Sequence, residues 1–147
     1  MNIEQIQSEI RQQNVDGWLF YDFHNRDKMA YHILGLNPNM FVTRRWYYFI
    51  PAEGIPIKLV SAVEATKIDN LPGEKIIYRS WEQQHSSLRT MLKNSRRIAM
   101  QYSPNNNIPY ISVVDGGTIE LIRSFGVEIV SSATLVQIFA AVIDEEG

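Results

Sequence analysis

The chain contains no cysteine. That removes disulfides, zinc–thiolate centres, iron–sulfur clusters and thiol nucleophiles together, and it fits a reducing, cytoplasmic setting. Basic surplus is also missing. Fourteen Lys and Arg stand against 16 Asp and Glu, a formal net charge of -2, which disfavours nucleic acid as a partner. The basic pairs Arg44-Arg45 and Arg96-Arg97 are too short to change that. No apolar run approaches the ~20 residues of a membrane-spanning helix. The polar start MNIEQIQSEIRQQ has no apolar core of a secretory signal, so no membrane partner is expected. Gly-x-Ser-x-Gly, Gly-x-Gly-x-x-Gly and Walker loops are all lacking, which leaves serine-hydrolase and nucleotide chemistry without their usual signatures. Internal repeats, low-complexity tracts and linkers are absent too, so residues 1–147 read as one domain, with 45% hydrophobic residues to build its core.

The residues present alternate between two periodicities. Ile3, Ile6 and Ile10 recur at helical spacing and predict an amphipathic first helix. Asp16-Gly17 marks a turn, and Trp18-Leu19-Phe20-Tyr21 reads as a buried strand. In KMAYHILG, Met29, Ile33 and Leu34 share a helical face, and Gly35 suits a left-handed C-cap with Pro38 beyond it. RRWYYFI and IPIKLVSAV flank the turn PAEG and predict an antiparallel hairpin. EKIIYRS is a further strand. Ser80 and Gln83 form a capping-box pattern at the head of WEQQHSSLRTMLKN. RRIAMQY returns to strand, Asp115 caps GGTIELIRSF, Gly126 ends it, VEIVS is a last strand and SATLVQIFAAVIDEEG a last helix. Strands and helices alternating in this way predict a mixed α/β sheet with helices on both faces. The final helix meets the terminus at 144–147 without a stop motif, and a longer protein is expected to continue there.

One stretch concentrates chemistry. YDFHNRD, residues 21–27, holds His24, Arg26 and the carboxylates Asp22 and Asp27. A neutral histidine with two carboxylates suits zinc or manganese, yet a metal site needs ligands converging from a rigid frame, and this spacing matches no known metal motif. The plainer reading is a solvated loop after a strand, with Asp27 capping the helix that opens at Lys28. The loop's position favours function, because ligands bind at the carboxyl ends of strands in α/β sheets. His32 and His85 lie on helices with no carboxylate four residues away, and Glu82, three before His85, is alone at helical spacing. Gly116-Gly117, before a helix, suits either a turn or an anion cradle. TRRWYYF, with Arg44, Arg45 and Trp46, has the residue types of interface hot spots and guanidinium forks for a carboxylate. As a strand it places Arg44 and Arg45 on opposite faces, so it reads equally as an interface and as a core strand with one solvated arginine.

DGWLFYDF, AYHILGL, TRRWYYFIPAEGIPIKLV, LPGEK, RRIAMQYSPNNNIPY and VDGGTIELIRSFGVEIVSSATLVQ follow one another in an order that resembles the amino-terminal domain of Xaa-Pro aminopeptidases and prolidases, the creatinase/prolidase family. The resemblance runs from about Asp16 to Gln137 and rests on order and coverage rather than on a catalytic signature. It implies a ribonuclease-H-like domain with a mixed six-stranded sheet. It further implies a carboxy-terminal domain of the pita-bread fold, absent from this chain, that binds two divalent metals, manganese or cobalt, through Asp, Asp, His, Glu and Glu. No metal ligand or catalytic residue is assigned to this chain. What the resemblance implies for it is a non-catalytic half that joins the catalytic domain, forms a homodimer and helps wall the cleft for proline-containing peptides. His24, Arg26, Arg44, Arg45 and Trp46 are its candidate cleft or interface residues. Where relatives read roughly YDFRGSNP this chain has YDFHNRDK, so the contacts of that loop differ. The competing expectation is a stand-alone binding or dimerisation module of the same fold.

Overall fold

A computed structural model describes residues 1–146, and side chains through residue 140. The first helix, α1 (Ile3–Gln12), is capped by Asn2, whose side chain accepts from the Gln5 amide at 3.1 Å. Its Ile6 and Ile10 are fully buried, which is the stripe that isoleucines at this spacing produce. Then come β1 (Gly17–Asp22), α2 (Lys28–Leu34), β2 (Trp46–Pro51), β3 (Ile57–Ser61), β4 (Glu74–Tyr78), α3 (Trp81–Leu92), β5 (Arg97–Met100), α4 (Gly116–Arg123), β6 (Glu128–Ser131) and α5 (Ala133–Glu146). Three single 3-10 turns lie between them. The reading of residues 144–147 as a helix end without a stop motif falls outside the described side chains.

The six strands make one sheet in the order β4-β3-β2-β1-β5-β6. β1 pairs antiparallel with β2 and β2 antiparallel with β3, while the β3–β4, β1–β5 and β5–β6 pairs are parallel. Only β2 therefore runs against the rest. Five strands end on one edge of the sheet, and β2 begins there. The expected hairpin is present, with Tyr47 opposite Leu59 and Phe49 opposite Ile57.

Every residue of β1 is buried. Alternation divides its side chains between two cores. Trp18 and Phe20 join Ile6, Ile10, Tyr31, Ile33, Leu135 and Val136 under α1, α2 and α5. Leu19 and Tyr21 join Leu88, Leu92, Ile119 and Ile122 under α3 and α4. Helices thus cover both faces, as the alternating pattern predicts.

The caps follow the expected residues. Asp115 accepts from the Thr118 amide at 3.0 Å, and Ser80 from the Gln83 amide at 3.2 Å. The Gln83 side chain reaches one residue further than a standard capping box, accepting from the Arg79 amide at 2.7 Å. Gly35 ends α2 in the left-handed conformation with φ 71°.

Candidate functional site

The carboxyl end of β1 is built on two carboxylates that are not solvated. Asp22 is 1% and Asp27 0% exposed, which corrects the solvated-loop reading for the two carboxylates, while His24 and Arg26 between them are exposed. Asp22 accepts from the Asn25 amide at 3.0 Å, the Asp27 amide at 2.9 Å and the Tyr31 hydroxyl at 2.7 Å. Those donors fold the loop back on itself, and His24 and Asn25 take successive left-handed conformations at φ 59° and 57°. Asparagine and histidine tolerate that region better than most residues. The Asn25 amide group also donates to the carbonyls of Pro38 and Met40 at 3.2 and 2.7 Å, tying the loop to the segment before β2.

Asp27 caps α2 as expected, accepting from the Ala30 amide at 3.0 Å. Its second oxygen accepts from the Gln101 side-chain amide at 2.5 Å. The Gln101 carbonyl oxygen in turn accepts from the Trp18 indole and the Ser132 hydroxyl, each at 2.8 Å. Burial pushes the Asp27 carboxyl up from 3.8 to about 6, over the lowering pull of the Ala30 amide and the Gln101 side chain, and Asp22 adds to the rise. These groups form a closed polar network that joins β1, α2, the end of β5 and the head of α5.

The side chains left facing outward are of a different kind. Phe23 is half-buried and His24 exposed, their rings meeting edge-on at 4.2 Å. The Arg26 guanidinium lies 5.2 Å and that of Arg45 5.9 Å from the Phe23 ring centre. One aromatic ring thus positions two cations from different segments, each contact contributing roughly 0.5–1 kcal/mol. Arg44 and Arg45 precede β2 rather than belonging to it, so strand alternation does not separate them, and both are exposed. Glu64 holds their backbone. Its carboxylate accepts from the Thr43 amide at 2.9 Å and the Arg44 amide at 2.6 Å, while the Tyr78 hydroxyl donates to the Arg45 carbonyl at 2.6 Å. Trp46 does not join this surface. It is 2% exposed, packed in the core 5.9 Å from the Tyr31 ring, because it is the first true strand residue and its side chain points under α2.

On the α4 side, exposed Asp115 accepts from the Thr118 hydroxyl at 2.8 Å. Burial works to raise its carboxyl, but the Thr118 hydroxyl and amide, with Tyr21, outweigh it and hold the group below its usual value. Beyond Arg44 lies a groove of about 430 Å³ lined by Arg44, Ser61, Val63, Tyr78, Arg79 and Trp81 among others. Among the described residues no group of three or more His, Asp or Glu is arranged to hold a metal ion. His24, His32 and His85 come from separate elements, and Asp22 is occupied by backbone and tyrosine donors.

The structure therefore brings His24, Arg26, Arg44 and Arg45 to one edge of the sheet. Sequence reasoning missed Phe23, the platform between them, although an aromatic residue just past a strand end next to a histidine and near an arginine is a readable signal. It also missed Gln101, for which the sequence carries none: its partners lie 31, 74 and 83 positions away.

No protein-family model and no curated protein sequence matches the chain. Solved structures share its fold. A proline dipeptidase from Streptococcus pneumoniae superposes with a TM-score of 0.70 at 14% identity, over 96% of this chain and 98% of that one. The creatinase/prolidase N-terminal domain of an X-Pro dipeptidase from Streptococcus pyogenes gives 0.66 at 14% identity, over 92% and 95%. The prolidase from Pyrococcus horikoshii gives 0.61 at 14% identity, over 91% of this chain but 33% of its own. The chain thus spans about a third of that prolidase, and its fold is that of creatinase/prolidase amino-terminal domains.

Proposed function

We propose that this chain is the amino-terminal domain of a metal-dependent Xaa-Pro peptidase. The observation that carries the proposal is the pair of coverages: nearly the whole of the chain and of the streptococcal domain superpose, whereas the same fold occupies a third of the Pyrococcus horikoshii prolidase. In this role the domain is non-catalytic. It docks on a carboxy-terminal catalytic domain, takes part in a homodimer and lends one wall to a cleft for proline-containing peptides in the cytoplasm. The two divalent metals, manganese or cobalt, belong to the catalytic domain, where they supply Lewis-acid and water-activating chemistry.

The geometry supports a wall rather than a reaction centre. Arg26 and Arg45 are steadied on Phe23, and Arg44 is held by its backbone to Glu64. Positioned guanidiniums of this kind orient carboxylates. His24 stands exposed beside them. Among the structural relatives the names prolidase and dipeptidase recur, which favours short substrates.

The test has two arms. The coding sequence after Gly147 should supply spaced Asp, Asp, His, Glu and Glu within about 250 residues, a normal domain length. The full-length protein with manganese should then cleave Xaa-Pro dipeptides, and Arg26→Ala, Arg44→Ala or Arg45→Ala should raise KM or relax length selection several-fold with kcat little changed. Metal-dependent turnover by residues 1–147 alone would refute the non-catalytic role. A reading frame without that ligand set would leave the stand-alone binding module as the better account.

A further inference from the structure

The groove beyond Arg44 lies off the Phe23 platform, and of its lining only Arg44 belongs to the cleft residues named above. Trp81 opens α3 and is 66% exposed, and Val63 on the facing turn is 69% exposed. Trp18 and Trp46 are buried at 0% and 2%, whereas Trp81, whose ring meets that of His85 at 5.4 Å, and Val63 together give the groove an apolar patch. Two guanidiniums, Arg44 and Arg79, share the lining with them. Among the described residues the ion pairs are Lys75–Asp69 and Arg97–Glu128, so neither groove arginine is neutralised by a carboxylate there. Glu64, close by, spends its carboxylate on the Thr43 and Arg44 amides. The same edge also carries Arg26 and Arg45, exposed and equally without an ion pair among the described residues. Bonds to neutral amides leave Glu64 charged, so the two groove arginines exceed that neighbouring carboxylate by one positive charge, and on a chain of net charge -2 this modest local field favours an anionic partner.

The partner's shape follows from the strand beside the groove. β4 is the outermost strand of the sheet. Its last residue, Tyr78, and the next, Arg79, line the groove, and Ile77 is 40% exposed. The groove lies over the carboxyl ends of β3 and β4, at Ser61, Tyr78 and Arg79, at the corner of the sheet where β4's outer flank has no strand neighbour, so an extended chain crossing it runs on toward an edge open to strand addition. We infer that the Arg44–Arg79–Trp81 groove is a docking site for an extended acidic segment of a partner protein, its carboxylates on the two guanidiniums and an apolar side chain on Trp81. Nucleic acid fits less well, because the rest of the chain is acidic and repels a polyanion.

Trp81 is the one exposed tryptophan of three, so the 147-residue chain reports its own occupancy by fluorescence. The probe is a capped peptide rich in Asp and Glu with one central Leu. It should shift Trp81 emission, shield it from acrylamide, and bind more weakly as salt rises from 50 to 300 mM, as expected for partly exposed charges. Arg44→Ala and Arg79→Ala should each weaken binding about tenfold, with unchanged far-UV circular dichroism. Arg11→Ala, on the remote α1, should leave it unchanged. An unaltered Trp81 signal at millimolar peptide overturns the inference, as does binding that survives both groove substitutions. Equal binding of acetate or of an oligothymidylate overturns the acidic-segment assignment. The readout needs no peptidase activity, so failure here and failure of the peptidase reading are separate results.

Discussion

Asp27 performs two tasks whose electrostatic demands conflict. As the cap of α2 it is best ionised, and as a buried neighbour of Asp22 it is best neutral. Burial prevails, and its carboxyl titrates near 6 in the folded protein. The unfolded chain holds that proton less tightly, near 3.8, so the folded state binds more protons between the two values. Its contribution to stability therefore falls as pH rises from about 4 to about 6. Asp16 works in the opposite sense, since the amides of Arg97 and Arg96 lower its carboxyl; its contribution is present above 3.8 and lost below. Urea unfolding at pH 4.5 and 7 should show that Asp27→Asn, relative to the native chain, gains stability as pH rises through this window. Asp27→Ala at pH 7 removes the cap and leaves the Gln101 amide buried without its acceptor, with an expected loss of about 2 kcal/mol. At this scale the sequence was partly readable. Asp27 as a cap, Asp115 and Ser80 follow from residue type and position. The burial of Asp22 does not, because its partners Asn25 and Tyr31 commit to it only once the loop turns through two left-handed residues.

At the scale of elements, two glycines separate conformational cost from steric cost. Gly35, at φ 71°, has nothing within 4 Å of where a Cβ would stand. Gly35→Ala should cost only about 1 kcal/mol, the strain of a left-handed alanine. Gly73, at φ 119°, would place a Cβ 2.2 Å from the Pro56 carbonyl oxygen. That contact sits where the Glu74 amide bonds the same oxygen at 2.9 Å and starts the β3–β4 ladder. Gly73→Ala should therefore cost several kcal/mol, within the class of severe backbone substitutions, and shift the urea midpoint far more than Gly35→Ala. The hairpin, the caps of α2, α3 and α4 and the presence of every strand were legible because each has a local signature; the Asn2 cap of α1 went unread. The start of β2 was not. TRRWYYFI reads as one β-rich run, but Glu64 captures the amides of Thr43 and Arg44 and delays the ladder until Trp46. That single contact moves both arginines off the strand and sends Trp46 into the core.

For the whole molecule, one sheet shared by two cores implies one cooperative unit. Trp18 and Phe20 face one core and Leu19 and Tyr21 the other, from consecutive residues of the same strand, so neither core can loosen without disturbing β1. Urea transitions followed by far-UV circular dichroism, by buried-tryptophan fluorescence and by near-UV tyrosine signals should coincide within error. Distinct midpoints would show that the faces unfold independently. The α/β class with helices on both faces was readable from alternation alone. The place of each strand was not, since β1 lies beside β5 through residues some eighty positions apart, as Asp16 and the Arg96 amide are.

That sheet order also sets a timetable. During synthesis β1 gains its β2 neighbour within a few tens of residues, but its other flank stays open until β5, at Arg97–Met100, has emerged. At about 5–20 residues per second the interval lasts several seconds. Throughout it a strand with an apolar centre, Trp18-Leu19-Phe20, presents an unpaired edge of the kind that recruits other chains. Pairings so distant in sequence are slow to close. The nascent chain is thus most prone to aggregate between completion of the hairpin and arrival of β5, and a chaperone acting on it would find its target in the first strand.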